Sequence, residues 1–73
     1  MTNEKKIELL ADILDVDAEA LTPETRLVDM SEWDSIAALS FIAMMDEEFG
    51  KEFKGADVKK IVTVQDALNV MKE

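Results

Sequence analysis

The chain has 73 residues, no cysteine and no histidine, and 17 acidic against 8 basic side chains for a net charge of −9. These numbers exclude disulfides and thiolate metal sites. They also exclude a self-contained Ser-His-Asp hydrolase, which needs an imidazole base. They make nucleic acid a poor partner, because phosphate binding calls for lysine and arginine in excess. The length suits one small domain, residues 1–73, whose core supplies about 3–5 kcal/mol. The acidity is local: Arg26 is the only base from Ile7 to Gly50, against twelve carboxylates. Such a surface favours a basic protein partner by steering encounter. No apolar run approaches the ~20 residues that span a bilayer, and no apolar stretch follows the charged N-terminus as in a secretory signal. A cytoplasmic protein with no membrane span is expected.

Asn3 is a plausible cap for a first helix running to about Leu14. Ile7, Leu10, Ala11 and Leu14 recur at helical spacing and form one apolar stripe, widened by Leu9 and Ile13. A long connection follows, from Asp15 to about Trp33. Within it Thr22-Pro23-Glu24-Thr25 reads as a turn, and Leu21, Leu27, Val28 and Val16 are the candidates to pin it. A loop of this length is normally pinned or functional.

The second helix is expected from Ser35 to Gly50, a good C-terminal breaker. Its apolar residues fall into two groups. Ala38, Phe41, Ile42, Met45 and Phe49 form the larger stripe, assigned to the core. Ile36, Leu39 and Ala43 lie on the other side, beside Ser40, Asp46 and Glu47, and suggest a second contact surface. Gly55 to Lys60 forms a short third helix. Thr63 then caps a fourth, with Asp66 near its positive end and Val64, Ala67, Leu68 and Met71 as its buried stripe. Nothing reads as a strand or hairpin. The expectation is an all-α fold, a small four-helix bundle with a long loop between helices I and II and a short helix III.

Few motifs carry chemistry. Asp15-Val16-Asp17-Ala18-Glu19 has the alternating acids of a calcium loop, but the positions that need glycine and glutamate hold Ala20 and Arg26. No metal site is expected. Asp46-Glu47-Glu48 is a polar helix end, since adjacent helical residues point in different directions. Asp34-Ser35-Ile36 is more informative. Asp34 can cap the second helix, which leaves Ser35 in the first turn, where the helix dipole favours negative charge. A phosphodiester on its hydroxyl would be well placed there. On these residues alone the default reading is a plain structural cap, with Ser31-Glu32-Trp33-Asp34 as an alternative capping segment.

Asp34-Ser35-Ile36, the helix end Asp46-Glu47-Glu48-Phe49-Gly50, and Lys60-Ile61-Val62-Thr63-Val64-Gln65-Asp66-Ala67 together resemble an acyl carrier protein. Leu14-Asp15-Val16 and Leu27-Val28-Asp29 fit the same register, so the resemblance covers nearly the whole chain. It implies a carrier that is not itself an enzyme, with 4'-phosphopantetheine from coenzyme A attached to Ser35 by a phosphopantetheinyl transferase. The arm's thiol would hold an acyl group as a thioester, which suits a chain with no cysteine. By the same resemblance, Asp34 and Ile36 assist the transferase. Leu39, Ala43, Asp46 and Glu47 form the docking face for acyl-loading and acyl-processing enzymes with basic or mixed basic and apolar patches. The carrier is expected to be a monomer. An acyl pocket between helices is implied too, with Met44, Met45 and Met71 as adaptable packing.

Three residues depart from the pattern of fatty-acid-synthesis carriers. Ala37 and Ser40 stand where such carriers usually have acids, and Trp33 replaces a small residue before the aspartate, as a recognition handle or as loop packing. The departures point to a dedicated fatty-acid, polyketide or other secondary pathway. A stand-alone peptidyl or aminoacyl carrier and an unmodified helical interaction module are the alternatives.

Overall fold

A computed structural model describes residues 2–72. Helix α1 spans Asn3–Leu14, α2 Ser35–Phe49, α3 Gly55–Val58 and α4 Val64–Val70. Two single 3-10 turns, Ala18–Ala20 and Leu27–Asp29, lie in the long connection. The described residues contain no strand, only one isolated antiparallel bridge between Arg26 and Thr63. The four-helix, all-α architecture is as the sequence predicts. None of the described helices is long and apolar enough to cross a membrane.

Helix α1 begins one residue earlier than expected. Thr2, not Asn3, is the cap, its hydroxyl accepting from the Lys5 amide at 3.2 Å. Asp15 ends the helix in the left-handed region (φ 56°), a conformation aspartate tolerates better than most side chains. The Asp15 amide donates to Asp12 and the Val16 amide to Ala11. This pair of bonds satisfies the last carbonyls and folds half-buried Val16 back onto the core. Gly50 closes α2 at φ 63° and donates to the Asp46 carbonyl at 3.1 Å. Here glycine is required by conformation and not by space, since a Cβ at Gly50 would meet nothing within 4 Å.

The core is drawn from every helix. Leu10, Ala11 and Leu14 of α1 meet Ala37, Phe41, Met44, Met45 and Phe49 of α2, with Val58 and Ile61 on one side and Val64, Ala67, Leu68 and Met71 on another. Helix α1 packs on α2 and α4, and α2 on α3. No polar or charged side chain is buried among the described residues. The α1 and α4 stripes fall as the spacing predicts, although Ile7 is only half-buried. In α2 the buried face is rotated. Ala37 and Met44 are inside, while Ala38 and Ile42 sit half-buried at its edge. Ala37, Phe41, Met44 and Met45 follow an i, i+4, i+7, i+8 stripe centred on Phe41. Because α2 is apolar on most sides before Asp46, periodicity alone left the centre of its face undetermined.

The long connection is pinned, but not by all the residues expected. Leu21 and Leu27 are fully buried and Val16 is half-buried. Val28 is 47% exposed and does not pin the loop with its side chain. Its backbone does: the Val28 amide donates to the Val62 carbonyl at 3.3 Å, the Val64 amide to Thr25 at 2.9 Å, and the Gln65 amide to Pro23 at 3.0 Å. The turn at Thr22–Thr25 forms as predicted, closed by a 3.0 Å bond from the Thr25 amide to the Thr22 carbonyl.

The same stretch carries the cap of α4. The Thr63 hydroxyl accepts from the Asp66 amide, and one Asp66 carboxylate oxygen accepts from both the Val62 and Thr63 amides at 3.0 and 3.1 Å. This is a reciprocal capping box. The backbone donors, Thr63 first and Val62 next, hold the Asp66 carboxyl below its ordinary value of 3.8. A depressed folded-state pKa means a contribution to stability that is present above the unfolded value and is lost as pH falls through the folded one. We therefore expect wild type to lose part of its stability advantage over Asp66→Asn as pH is lowered below about 4; parallel thermal melts at pH 2 and pH 7 read this difference. In a second test, Asp34→Ala removes the side-chain acceptor at the start of α2. It should destabilise the fold by about 1 kcal/mol in denaturant titration.

Candidate functional site

Asp34 precedes α2 in an extended conformation, and its Oδ1 accepts from the Ala37 amide at 2.9 Å. The carboxylate is thereby committed to the helix end. Ser35 is the first helical residue and is exposed. Its hydroxyl makes no hydrogen bond with any described residue, so the cap is Asp34 and Ser35 is not needed for it. An uncommitted hydroxyl at the positive end of a 15-residue helix is suited to carrying an anionic ester. No group of three or more His, Cys, Asp or Glu residues is arranged for a metal among the described residues.

Ser35 borders an open depression of about 480 Å³ lined by Val28, Trp33, Asp34, Ser35, Ala38, Val58, Lys59 and Ile61. Three segments build it: the second 3-10 turn (Val28), Trp33 with the start of α2, and the end of α3 with Lys59 and Ile61 after it. Trp33 forms one wall. It is half-buried and meets Phe41 edge-on, with ring centroids 5.8 Å apart at 81°, and Phe41 in turn meets Phe53 at 5.5 Å. The indole therefore packs the loop and also edges the groove beside Ser35. Ile61, buried, forms part of the floor. Of the methionines considered as adaptable packing, Met45 and Met71 are fully buried and Met44 nearly so.

The outer face of α2 carries the other singled-out residues. Ile36 is 72% and Leu39 69% exposed, and Ala43, Ser40, Asp46 and Glu47 are exposed as well. From Ser35 to Met45 the helix bears no charge at all, and its acids begin at Asp46. Ala37 does not belong to this face. At 3% exposure it lies in the core, so of the two departures on α2 from the fatty-acid-synthesis pattern only Ser40 lies on the outer surface. Sequence reading missed Lys59, which stands at the end of α3 and enters the Ser35 groove. A signal was present, since Lys59-Lys60 breaks a strongly acidic chain, but its proximity to Ser35 depends on tertiary packing.

The sequence agrees with a known family over almost its full length. The family model described as "Phosphopantetheine attachment site" matches residues 7–70. The acyl carrier protein of Nitratidesulfovibrio vulgaris is 40% identical over 73 residues, covering 99% of this chain and 96% of that protein. That of Solidesulfovibrio magneticus is 37% identical over 70 residues, covering 96% and 90%. That of Lactobacillus acidophilus is 35% identical over 65 residues, covering 89% and 81%. These matches, over nearly the whole chain, show that it belongs to the acyl carrier protein family, whose members carry acyl groups on a 4'-phosphopantetheine prosthetic group and are carriers, not enzymes.

Proposed function

We propose that Ser35 is the attachment point of the 4'-phosphopantetheine arm, and that the chain works as a monomeric cytoplasmic carrier in a dedicated acyl pathway. The observation that carries the site is the Ser35 hydroxyl: exposed, free of hydrogen bonds to the described residues, and set directly behind the capping Asp34. The residues around it fit the group. The helix end favours the phosphodiester, and the groove of Val28, Trp33, Ala38, Val58 and Ile61 offers an apolar path alongside. When bound, the arm supplies the thiol that the sequence lacks. The chain's own part is attachment, display and recognition.

Asp34 and Ile36 flank the serine and form the contact for a phosphopantetheinyl transferase. Leu39, Ala43, Asp46 and Glu47, with Trp33 at the groove edge, form the docking face for acyl-loading and acyl-processing enzymes. The exposed Ile36 and Leu39 next to the acids of the last turn favour partners with an apolar patch rimmed by basic residues. Ser40, in place of the acid usual in fatty-acid-synthesis carriers, supports a dedicated set of partners.

Intact-mass measurement after incubation with coenzyme A and a broad-specificity transferase tests the site. One phosphopantetheine should be added to wild type and none to Ser35→Ala. No addition to wild type, with a control carrier modified, would identify an unmodified interaction module instead. Loading by an acyl ligase and by an amino-acid-activating enzyme separates the acyl from the peptidyl or aminoacyl carrier. General fatty-acid elongation enzymes should turn over the loaded protein less efficiently than a housekeeping carrier, and Ser40→Glu should narrow the gap. Equal turnover would remove the dedicated-pathway reading.

A further inference from the structure

Lysines are concentrated where the chain is otherwise least expected to carry them. Lys51, Lys54, Lys59 and Lys60 fall within ten residues, in a protein of net charge −9. They are not equivalent. Lys51 donates to the Val70 carbonyl at 3.4 Å and so holds the end of α4. Lys60 lines a separate depression with Asp57 and Asp66 and does not line the Ser35 groove. Lys59 faces the Ser35 groove. It is exposed, and no described carboxylate lies within ion-pair distance of it: the ion pairs among the described residues are Lys5–Glu8 and Arg26–Asp29.

We propose that Lys59 is a positioning residue for the arm, its ammonium pairing with the phosphodiester on Ser35. The inference rests on the reading of Ser35 as the attachment point. Two charged residues border the groove, Asp34 and Lys59. Asp34 is fixed on the α2 amide and would repel a phosphate. Lys59 is the one cation on the opposite wall, and its flexible stem leaves its head free to meet an anion across the opening. The pairing selects one direction for the arm. A phosphodiester paired with Lys59 would be held on the α3 side of the groove, the side that Val58 and Ile61 line, and not on the side of the exposed Ile36 and Leu39. Lys59 would thus set how the arm leaves the serine, while the docking face stays clear for a partner.

The test compares the protein before and after treatment with coenzyme A and a phosphopantetheinyl transferase. Each form is exposed to a limiting amine-reactive ester, and lysine labelling rates are read residue by residue by peptide mass spectrometry. Addition of the arm should slow labelling of Lys59 by about 1.5- to 5-fold, the factor expected of an exposed ion pair. Lys54 and Lys60 should be unchanged, and the effect should collapse in 1 M salt. The phosphorus-31 resonance of the modified protein should move in Lys59→Gln and return in Lys59→Arg, a response that a purely structural lysine would not give. Unchanged labelling of Lys59 on protein whose mass shows the arm, or an identical resonance in Lys59→Gln, overturns this proposal and leaves the Ser35 assignment intact. A mass without the arm overturns both.

Discussion

Everything in this small bundle depends on a backbone tie between the long connection and the start of α4. The Val28, Val64 and Gln65 amides donate across it, and Arg26 and Thr63 form its single bridge. A connection running from Asp15 to Trp33 would otherwise lose little enthalpy and gain much entropy by detaching. The tie works together with the Thr63–Asp66 cap: the Thr63 hydroxyl accepts from the Asp66 amide of α4, and one Asp66 carboxylate oxygen accepts from the Val62 and Thr63 amides just before the helix. That leaves the Val64 and Gln65 amides free to bind the loop. Buried Leu21 and Leu27 then fill the space beneath. Detaching the loop would expose those side chains and orphan the backbone donors together, so local and tertiary order are the same event.

The tie also fixes the site. It delivers the second 3-10 turn to the edge of α2, which places Val28 and Trp33 beside Ser35. From there the functional features divide by chemistry. Asp34 holds the helix end, so Ser35 is released from structural duty. Phe41 anchors Trp33 from below. The outward face stays uncharged until Asp46, and positive charge gathers across the groove on α3. A single serine is thus bordered by an acid and an apolar face from the start of α2 and by a cation from the end of α3.

Much of this was legible in the sequence, for identifiable reasons. Helix ends were readable where the stop or start signal is chemical: Gly50 in the left-handed region, Thr63 with Asp66 three residues on, Asp34 before Ser35. The stripes of α1 and α4 were readable because polar residues bound them. The α2 stripe was misplaced toward Ala38 and Ile42 because a helix apolar on several sides does not say which side is inside; α1 and α3 decide that. The exposure of Val28 was hidden for a related reason. Its backbone, not its side chain, makes the attachment, and hydrogen bonds between distant backbone groups leave no trace in residue type. The outward position of Ile36, Leu39 and Ala43 was correctly read, as was Ser35 in the first turn. The Lys59 contribution to the groove was not, because it needs the fold to bring α3 across from α2.

The two walls of the Ser35 groove differ greatly in stiffness. One is α2, long, capped at both ends and anchored by Phe41, with the tied loop behind it. The other is α3, one turn of four residues, held inward by Val58 and Ile61. Its own start is secured only by the Asp57 carboxylate on the Lys54 amide, because lysine offers no acceptor to complete the cap. The groove thus has one long, firmly held wall and one short wall, and the short wall is the one that carries its cation.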